Sequence, residues 1–367
     1  MKKNIFPGIG VEASALGFGC MRFPTNEDGT INRPEAIRML RHAIDNGVTY
    51  VDTAYIYGDS ERITGLCLQD GYREKVTLAT KLPVYKMTCE EDFNRLLDEQ
   101  LARLQTDHID AYLLHALNRN LWENYVKKYN VLALAEQARA AGKIRYLGFS
   151  FHDSLDVFKE ILHGHDKWDF CQIQLNYMDT RYQAGLEGLQ LAHEKGLAVV
   201  IMEPLRGGVL ANVPQEVSDL LPKNPVESAL DYLWNMEQVN VVLSGMSELE
   251  QVDHNLAYAD RARVGMLTQC EQKAIEDAGN RMRESLSIPC TGCDYCSVCP
   301  QQIAISKIFR IFNQRQSDGN YITAKESYRA LGEHSAKNCV NCNLCAKQCP
   351  QQIPIPEHLA SLHKQFG

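Results

Sequence analysis

Nowhere in the 367 residues does an uninterrupted apolar stretch reach the length needed to span a bilayer. The opening residues 1–10 carry two lysines but lack the apolar core of a signal peptide. Both absences predict a chain that stays in the cytoplasm, with no membrane partner. A basic excess is missing too. The formal net charge is -8, the isoelectric point is about 5.8, and no long basic run offsets them. Nucleic acid and anionic membrane surfaces are therefore excluded as main partners. What is present is ordinary globular material, 45% hydrophobic and 23% charged, enough for one large and one small domain.

Cysteine is plentiful but unevenly placed. Of thirteen, eight crowd into Cys290–Cys299 and Cys339–Cys349, while Cys20, Cys67, Cys89, Cys171 and Cys270 are scattered. In a reducing compartment, clustered cysteines at short fixed spacing predict metal ligands and not disulfides. The second group reads Cys339-x2-Cys342-x2-Cys345-x3-Cys349-Pro350, the spacing of bacterial ferredoxins, whose fourth cysteine reaches across to the other cluster. The first, Cys290-x2-Cys293-x2-Cys296-x2-Cys299-Pro300, is one residue shorter in its last gap. A zinc site is the alternative, but four ligands satisfy tetrahedral zinc and a third CxxC step adds nothing. Two [4Fe-4S] clusters are expected. Cross-ligation would give one to Cys290, Cys293, Cys296 and Cys349, and the other to Cys339, Cys342, Cys345 and Cys299.

Before these groups, short β-branched runs alternate with segments of helical period. The runs are Leu16–Phe18, Tyr50–Asp52, Val76–Thr80, Ile109–Leu114, Tyr146–Ser150, Phe170–Gln174, Ala198–Met202 and Val239–Ser244. Pro34 and Gly47 bracket one helix, and Thr88 with Glu91 reads as a capping box opening another. Eight strand–helix repeats predict an α/β fold, a (β/α)8 TIM barrel over residues 1–265. A doubly wound open sheet is the alternative, although no G-x-G-x-x-G opens its first turn. Residues 266–367, beginning with a helix over Thr268–Ser287, predict a mainly helical, ferredoxin-like iron–sulfur domain.

Barrel chemistry sits where strands end. Asp52, Lys81 and His115 follow the second, third and fourth strands, and Tyr57 lies in the loop after Asp52. A lone histidine after an apolar strand is commonly a satisfied core residue, and a lone rim lysine or tyrosine is commonly solvated. Four together point to chemistry. Hydride reduction of a carbonyl leaves an alkoxide that needs a proton, and a phenol with a pKa of about 10 needs a neighbouring cation to give it up. Lys81 would supply the cation, Asp52 would compensate it, and His115 would orient the carbonyl.

These residues resemble the Asp, Tyr, Lys, His tetrad of the aldo-keto reductases. The likeness is carried by VDTAYIYGDSE, LATKLP and DAYLLH, and continues in IRYLGFSFH, FCQIQLNYMD and MEPLRGGVL. The appended cysteine module resembles a ferredoxin-containing subgroup. The resemblance implies an NADP(H)- or NAD(H)-linked oxidoreductase with Tyr57 as general acid. It implies cofactor contacts from Ser150, Gln172 and Asn176 at the nicotinamide, with Met202 two residues before Pro204. Leu205, Gly207, Gly208 and Leu210 are implied in the loop beside the pyrophosphate. Ser247, Gln251 and Asn255 are implied around the last barrel helix, where Ser247 and Glu250 read as a capping box. Phe151 stands where the family has Asn, Met202 where a ring commonly stacks, and Gly245 and Gln251 where Lys and Arg clamp a 2′-phosphate.

The expected activity is reduction of a small-molecule aldehyde or ketone coupled to two [4Fe-4S] clusters, with a ferredoxin or another redox partner. The alternatives are an electron-transfer protein whose barrel binds a nucleotide or redox partner without carbonyl chemistry, and clusters that serve only as structural staples. Pocket-shaping residues are expected around Trp122, Tyr125 and the C-terminal segment.

Overall fold

A computed structural model describes residues 1–6, 10, 12–285, 287–318 and 321–367. The chain divides into two compact units. One comprises residues 1–204 and 229–268, and the other residues 205–228 and 269–367. The helix expected to open the tail runs Gln269–Ser285, and Leu286 lies outside the described residues.

The first unit is a closed parallel barrel. After a two-stranded hairpin, β1 (Lys3–Ile5) and β2 (Glu12–Ser14), come β3 (Leu16–Gly19), β4 (Tyr50–Asp52), β5 (Thr77–Leu82), β6 (Ile109–Leu117), β7 (Ile144–Phe151), β8 (Phe170–Gln174), β9 (Ala198–Met202) and β10 (Val241–Gly245). The order is β10-β3-β4-β5-β6-β7-β8-β9, so the open doubly wound sheet is excluded. The sequence pattern gave no sign of the hairpin. Phe6, just after β1, packs on Tyr50 and Phe170 with ring centroids 6.0 and 6.4 Å apart, closing one end of the barrel core.

That core explains where the polar residues go. Tyr50, Ala79, Leu113, Phe170 and Val200 belong to one buried cluster. Side chains two residues apart on a strand share a face. The next inward positions are therefore Asp52, Lys81, His115, Gln172 and Met202, and Gly148 is followed by Ser150 on β7. Gly148 is required there: a Cβ would lie 2.6 Å from the Phe170 carbonyl oxygen and 2.7 Å from its ring.

Two helix starts differ from their expected form. Arg33–Asp45 opens as anticipated, Asn32 Oδ1 accepting from Glu35 N at 3.2 Å. Thr88, however, bonds Asp92, not Glu91, through both its amide (2.7 Å) and its hydroxyl (2.8 Å). At the last barrel helix, Leu249–Asp260, the Ser247 hydroxyl donates to the Arg22 carbonyl at 3.0 Å, and Gln251 Oε1 accepts from Ser247 N at 2.9 Å. Glu250 makes no box there.

The second unit is helical, with Ile305–Asp318, Tyr321–Arg329 and Ile355–Phe366 around a core that includes Ile308, Phe309, Tyr328, Leu359 and Phe366. It contains an internal repeat. Cys299-Pro-Gln-Gln-Ile-Ala-Ile305 matches Cys349-Pro-Gln-Gln-Ile-Pro-Ile355. Gln302 N bonds Cys299 O as Gln352 N bonds Cys349 O, both at 3.0 Å, and both glutamines take positive φ. The unequal cysteine gaps follow from the helix between them. The shorter gap holds a 3₁₀ segment, Tyr295–Val298, and the longer an α-helical one, Leu344–Gln348. A 3₁₀ helix rises about 2.0 Å per residue against about 1.5 Å for an α-helix, so four residues span what five do.

Candidate functional site

At the mouth of the first unit, Lys81 and Asp52 are both buried. Lys81 Nζ lies 2.6 Å from Asp52 Oδ1 and 2.7 Å from the Thr53 carbonyl oxygen. Burial raises the Asp52 pKa, and the Lys81 ammonium opposes that rise. The pair is held because removing one partner of a buried ion pair costs about 3–5 kcal/mol. The Tyr57 ring sits 5.1 Å from Lys81 Nζ and edge-on to His115, with centroids 6.0 Å apart. All four residues expected from the sequence thus converge.

Tyr57 owes its place to a tight turn. Its amide bonds the Ala54 carbonyl and its carbonyl accepts from Ser60 N, both at 3.1 Å, and Gly58 follows at φ +58°, a conformation that favours glycine. His115 sits at a register shift between β6 and β7, between Leu114 and Leu117, beside Ala116 at φ +53°. Such irregularities re-aim side chains near active sites. Burial, then Lys81, then His152 hold the His115 pKa well below that of free histidine. The ring is neutral at working pH, with one N–H to donate and one nitrogen to accept.

Ser150 belongs to the same neighbourhood, its Oγ accepting from Ala116 N at 2.7 Å. Gln172 Nε2 reaches Met202 Sδ at 3.6 Å, and its buried Oε1 has no hydrogen-bond partner among the described residues. That acceptor fits an incoming carboxamide N–H. The Asn176 side chain is occupied: its amide donates to the Glu203 carbonyl at 3.1 Å, and its oxygen accepts from Met178 N and Asp179 N. Phe151 turns away from the barrel interior and packs on Phe158, centroids 5.1 Å apart. Asn255 donates to Ser244 Oγ at 3.0 Å. A Cβ on Gly245 would meet Arg22 Cγ at 2.9 Å, so a guanidinium stem lies where a clamping lysine was sought.

Leu205, Gly207, Gly208 and Leu210 belong to the second unit. Gly208 N and Leu210 N both bond the Leu205 carbonyl at 3.0 Å, and the two glycines have φ +63° and +94°. Trp122 proves to be core, 1% exposed and packed on Trp168. Tyr125 is half-buried against Tyr129.

Several supporting residues went unread in the sequence. Glu61 is fully buried. It accepts from Thr80 Oγ1 and Gln100 Nε2, both at 2.7 Å, and pairs with Arg103 at 3.2 Å. Gln100 Nε2 also lies 3.1 Å from the Lys81 carbonyl, so the network fixes the strand that presents Lys81. The signal was a lone polar residue, Gln100, inside the Phe93, Leu96, Leu97, Leu101, Leu104 stripe. His152 was overlooked as well. Its ring nitrogen lies 3.2 Å from Gln183 Oε1, and burial lowers its pKa to about 4.

A depressed histidine pKa has a consequence for stability. The unfolded ring protonates near pH 6.5 while the folded ring stays neutral to about pH 4. The unfolded state therefore binds more protons in this window, and stability falls as pH drops through it, by up to about 3 kcal/mol. His152→Asn is expected to flatten the fall in Tm between pH 7 and 4.5. Equal slopes in the two proteins would contradict the assignment.

In the second unit, Cys290, Cys293, Cys296 and Cys349 line one cavity with Thr291, Asp294 and Phe309. Burial raises the Cys290, Cys296 and Cys349 thiols, Cys296 to about 12, and neighbouring thiolates raise Cys290 and Cys296 further. Burial also raises Cys345, with Cys299 and Cys339 adding to it. Several sulfurs that resist joint ionisation are a donor set that fits a cationic metal core. Among the described residues, no group of Cys, His, Asp or Glu converges in the way a single metal ion requires. No helix among them is long and apolar enough to cross a membrane.

Comparison with known proteins agrees with both units. Residues 15–275 match the aldo/keto reductase family and residues 289–354 a 4Fe-4S dicluster domain. An uncharacterized oxidoreductase of Bacillus subtilis, YrpG, is 32% identical over 230 residues, 55% of this chain and 65% of its own. Thus the chain spans just under two thirds of that relative. A second from the same organism, YqkF, is 27% identical over 75% of this chain and 96% of its own. The solved aldo-keto reductase AKR11C1 of Bacillus halodurans aligns over 76% of this chain and 96% of its own, at 27% identity and TM-score 0.64. An aldo/keto reductase from Klebsiella pneumoniae, solved with NADP and acetate, shares the fold at 23% identity and TM-score 0.63 over 76% of this chain and 95% of its own. The chain belongs to the aldo/keto reductase family, an oxidoreductase whose barrel is followed by a helical 4Fe-4S domain.

Proposed function

We propose that the protein reduces an aldehyde or ketone with NADP(H) or NAD(H), using Tyr57 as the proton donor, and holds two [4Fe-4S] clusters in its helical unit. The observation that carries this reading is the buried Lys81–Asp52 pair beneath a tyrosine ring that faces a neutral histidine. When bound, the nicotinamide supplies hydride to the carbonyl carbon and the clusters supply or accept single electrons.

The remaining chemistry belongs to the chain. His115 donates its N–H to the carbonyl oxygen and orients it. Tyr57 gives its hydroxyl proton to the same oxygen, and the Lys81 ammonium stabilises the phenolate that forms. Asp52 balances the ammonium so that it stays charged in a buried place. Gln172 Oε1 and the Ser150 hydroxyl would hold the carboxamide. Arg22, beside Gly245, is the guanidinium that would meet a 2′-phosphate. Cys290, Cys293, Cys296 and Cys349 would ligate one cluster, and Cys339, Cys342, Cys345 and Cys299 the other. The cytoplasm, which keeps thiols reduced, suits such ligands.

The test is purification without oxygen, followed by iron and sulfide counts and a titration with NADPH and NADH. Brown protein with eight irons per chain and saturable nucleotide binding is expected. Colourless protein that binds no nucleotide would overturn the reading.

A further inference from the structure

Tyr57 and Lys81 arrive on separate elements, the loop after β4 and the end of β5, yet one side chain is bonded to the supports of both. Tyr55 stands between Thr53, whose carbonyl oxygen accepts from Lys81 Nζ at 2.7 Å, and Tyr57, whose ring faces the same ammonium. The Tyr55 hydroxyl donates to Glu99 at 3.0 Å. The Arg103 guanidinium lies over the Tyr55 ring, 4.0 Å from its centroid, and its Nη1 donates to the Tyr55 carbonyl at 3.4 Å. The same Nη1 donates to Glu61 Oε2 at 3.2 Å, while Nη2 donates to Glu99. Glu61 in turn accepts from Thr80, the neighbour of Lys81, and from Gln100, which also bonds the Lys81 carbonyl. Glu61 and Arg103 meet because the helices Ser60–Cys67 and Glu91–Leu104 approach closely at Gly65. A Cβ there would lie 2.7 Å from the Leu104 carbonyl oxygen and 2.8 Å from that of Arg103. The Arg103 side chain is only 17% exposed, so salt screens these bonds little.

From this placement we infer that Arg103 is a positioning residue, which ties the Tyr55 backbone to Glu61 and so keeps Tyr57 seated over Lys81. The inference goes beyond the reading above and rests on Tyr57 being the proton donor. No bond forms or breaks at Arg103, which acts through Tyr55 and Glu61. Its planar fork aims N–H groups at several acceptors at fixed angles, whereas a lysine offers a single point charge. Precision matters here, because displacing a reacting group by about 1 Å costs about 10²-fold in rate.

The experiment compares Arg103→Lys, Tyr55→Phe and the double variant Glu61→Gln/Arg103→Met with wild type. The double variant removes both charges, since Arg103→Met alone would strand a buried carboxylate. Arg38→Gln, at an exposed arginine paired with Glu35, is the control. Each protein is checked for folding by circular dichroism and melting, then assayed with NADPH and a carbonyl compound that wild type reduces. In the double variant kcat is expected to fall about 10–10²-fold while KM and nucleotide Kd stay within about twofold. The solvent deuterium isotope effect on kcat should rise, because proton delivery from a displaced Tyr57 then limits turnover. Arg103→Lys should recover part of kcat, Tyr55→Phe should fall between, and Arg38→Gln should match wild type. Should the double variant not fold, Arg103→Lys and Tyr55→Phe decide. Folded variants with wild-type kcat, or with lower kcat and an unchanged solvent isotope effect, would overturn the role of Arg103. Wild-type protein that reduces no carbonyl, or Tyr57→Phe with undiminished turnover, would instead overturn the reading on which that role rests.

Discussion

Tyr57→Phe is expected to lower kcat for carbonyl reduction by about 10²–10⁴-fold, the contribution of a well-placed general acid, while KM changes much less. The hydroxyl acts on an oxygen whose charge develops only in the transition state, so its loss falls on kcat and kcat/KM together. The ring itself stays: its edge contact with His115 and its place over Lys81 use carbon atoms that phenylalanine keeps. Folding and nucleotide affinity should therefore be near those of the parent. Steady-state kinetics across a panel of aldehydes and ketones, with nucleotide binding measured in parallel, makes the check. Undiminished turnover in Tyr57→Phe would remove the proposed proton donor.

The second large effect concerns iron. If Cys349 closes the site begun by Cys290, then Cys290→Ala/Cys349→Ala breaks one cluster twice over, and the double variant should keep half of the wild-type iron. Cys290→Ala/Cys299→Ala should break both sites and lose nearly all of it. The reason is the cavity in the helical unit, which is lined by Cys290, Cys293, Cys296 and Cys349 and not by Cys299. Retention of half the iron in the Cys290/Cys299 variant would mean that each run closes its own cluster. Cluster loss should also lower the Tm of the helical unit, because Cys290, Cys296, Cys299, Cys339 and Cys349 pack against its apolar core.

How far these features were legible depends on the range of the interactions that make them. Strand positions were, since β-branched runs such as Ala198–Met202 and Phe170–Gln174 carry their own period. Asp52, Lys81 and His115 were legible because strand ends in a barrel define one mouth, and the 4Fe-4S domain because the spacing of its cysteine groups is local. Helix caps were half legible: Thr88 marked a start, but whether it pairs with Glu91 or Asp92 depends on side-chain reach, and the shorter Asp92 takes both bonds. Glu61 was hidden because its partners lie 19 to 42 residues away. The grouping of Leu205–Ser228 with the cysteine module was hidden for the same reason: the turn at Arg206 and Gly207 is chosen by the Thr291 backbone, far along the chain.

The claim that the barrel mouth transfers hydride and proton to a carbonyl is tested most directly by isotope transfer. Anaerobic holoprotein is given an aldehyde or ketone that it turns over and NADPH deuterated at the reactive C4 position, and the product is read by mass spectrometry. The account predicts one deuterium on the alcohol carbon, appearing at least a hundredfold more slowly with Tyr57→Phe, in keeping with a general acid worth about 10²-fold or more. Oxidation of the nucleotide with reduction of the clusters, and no deuterium in any alcohol, would contradict it.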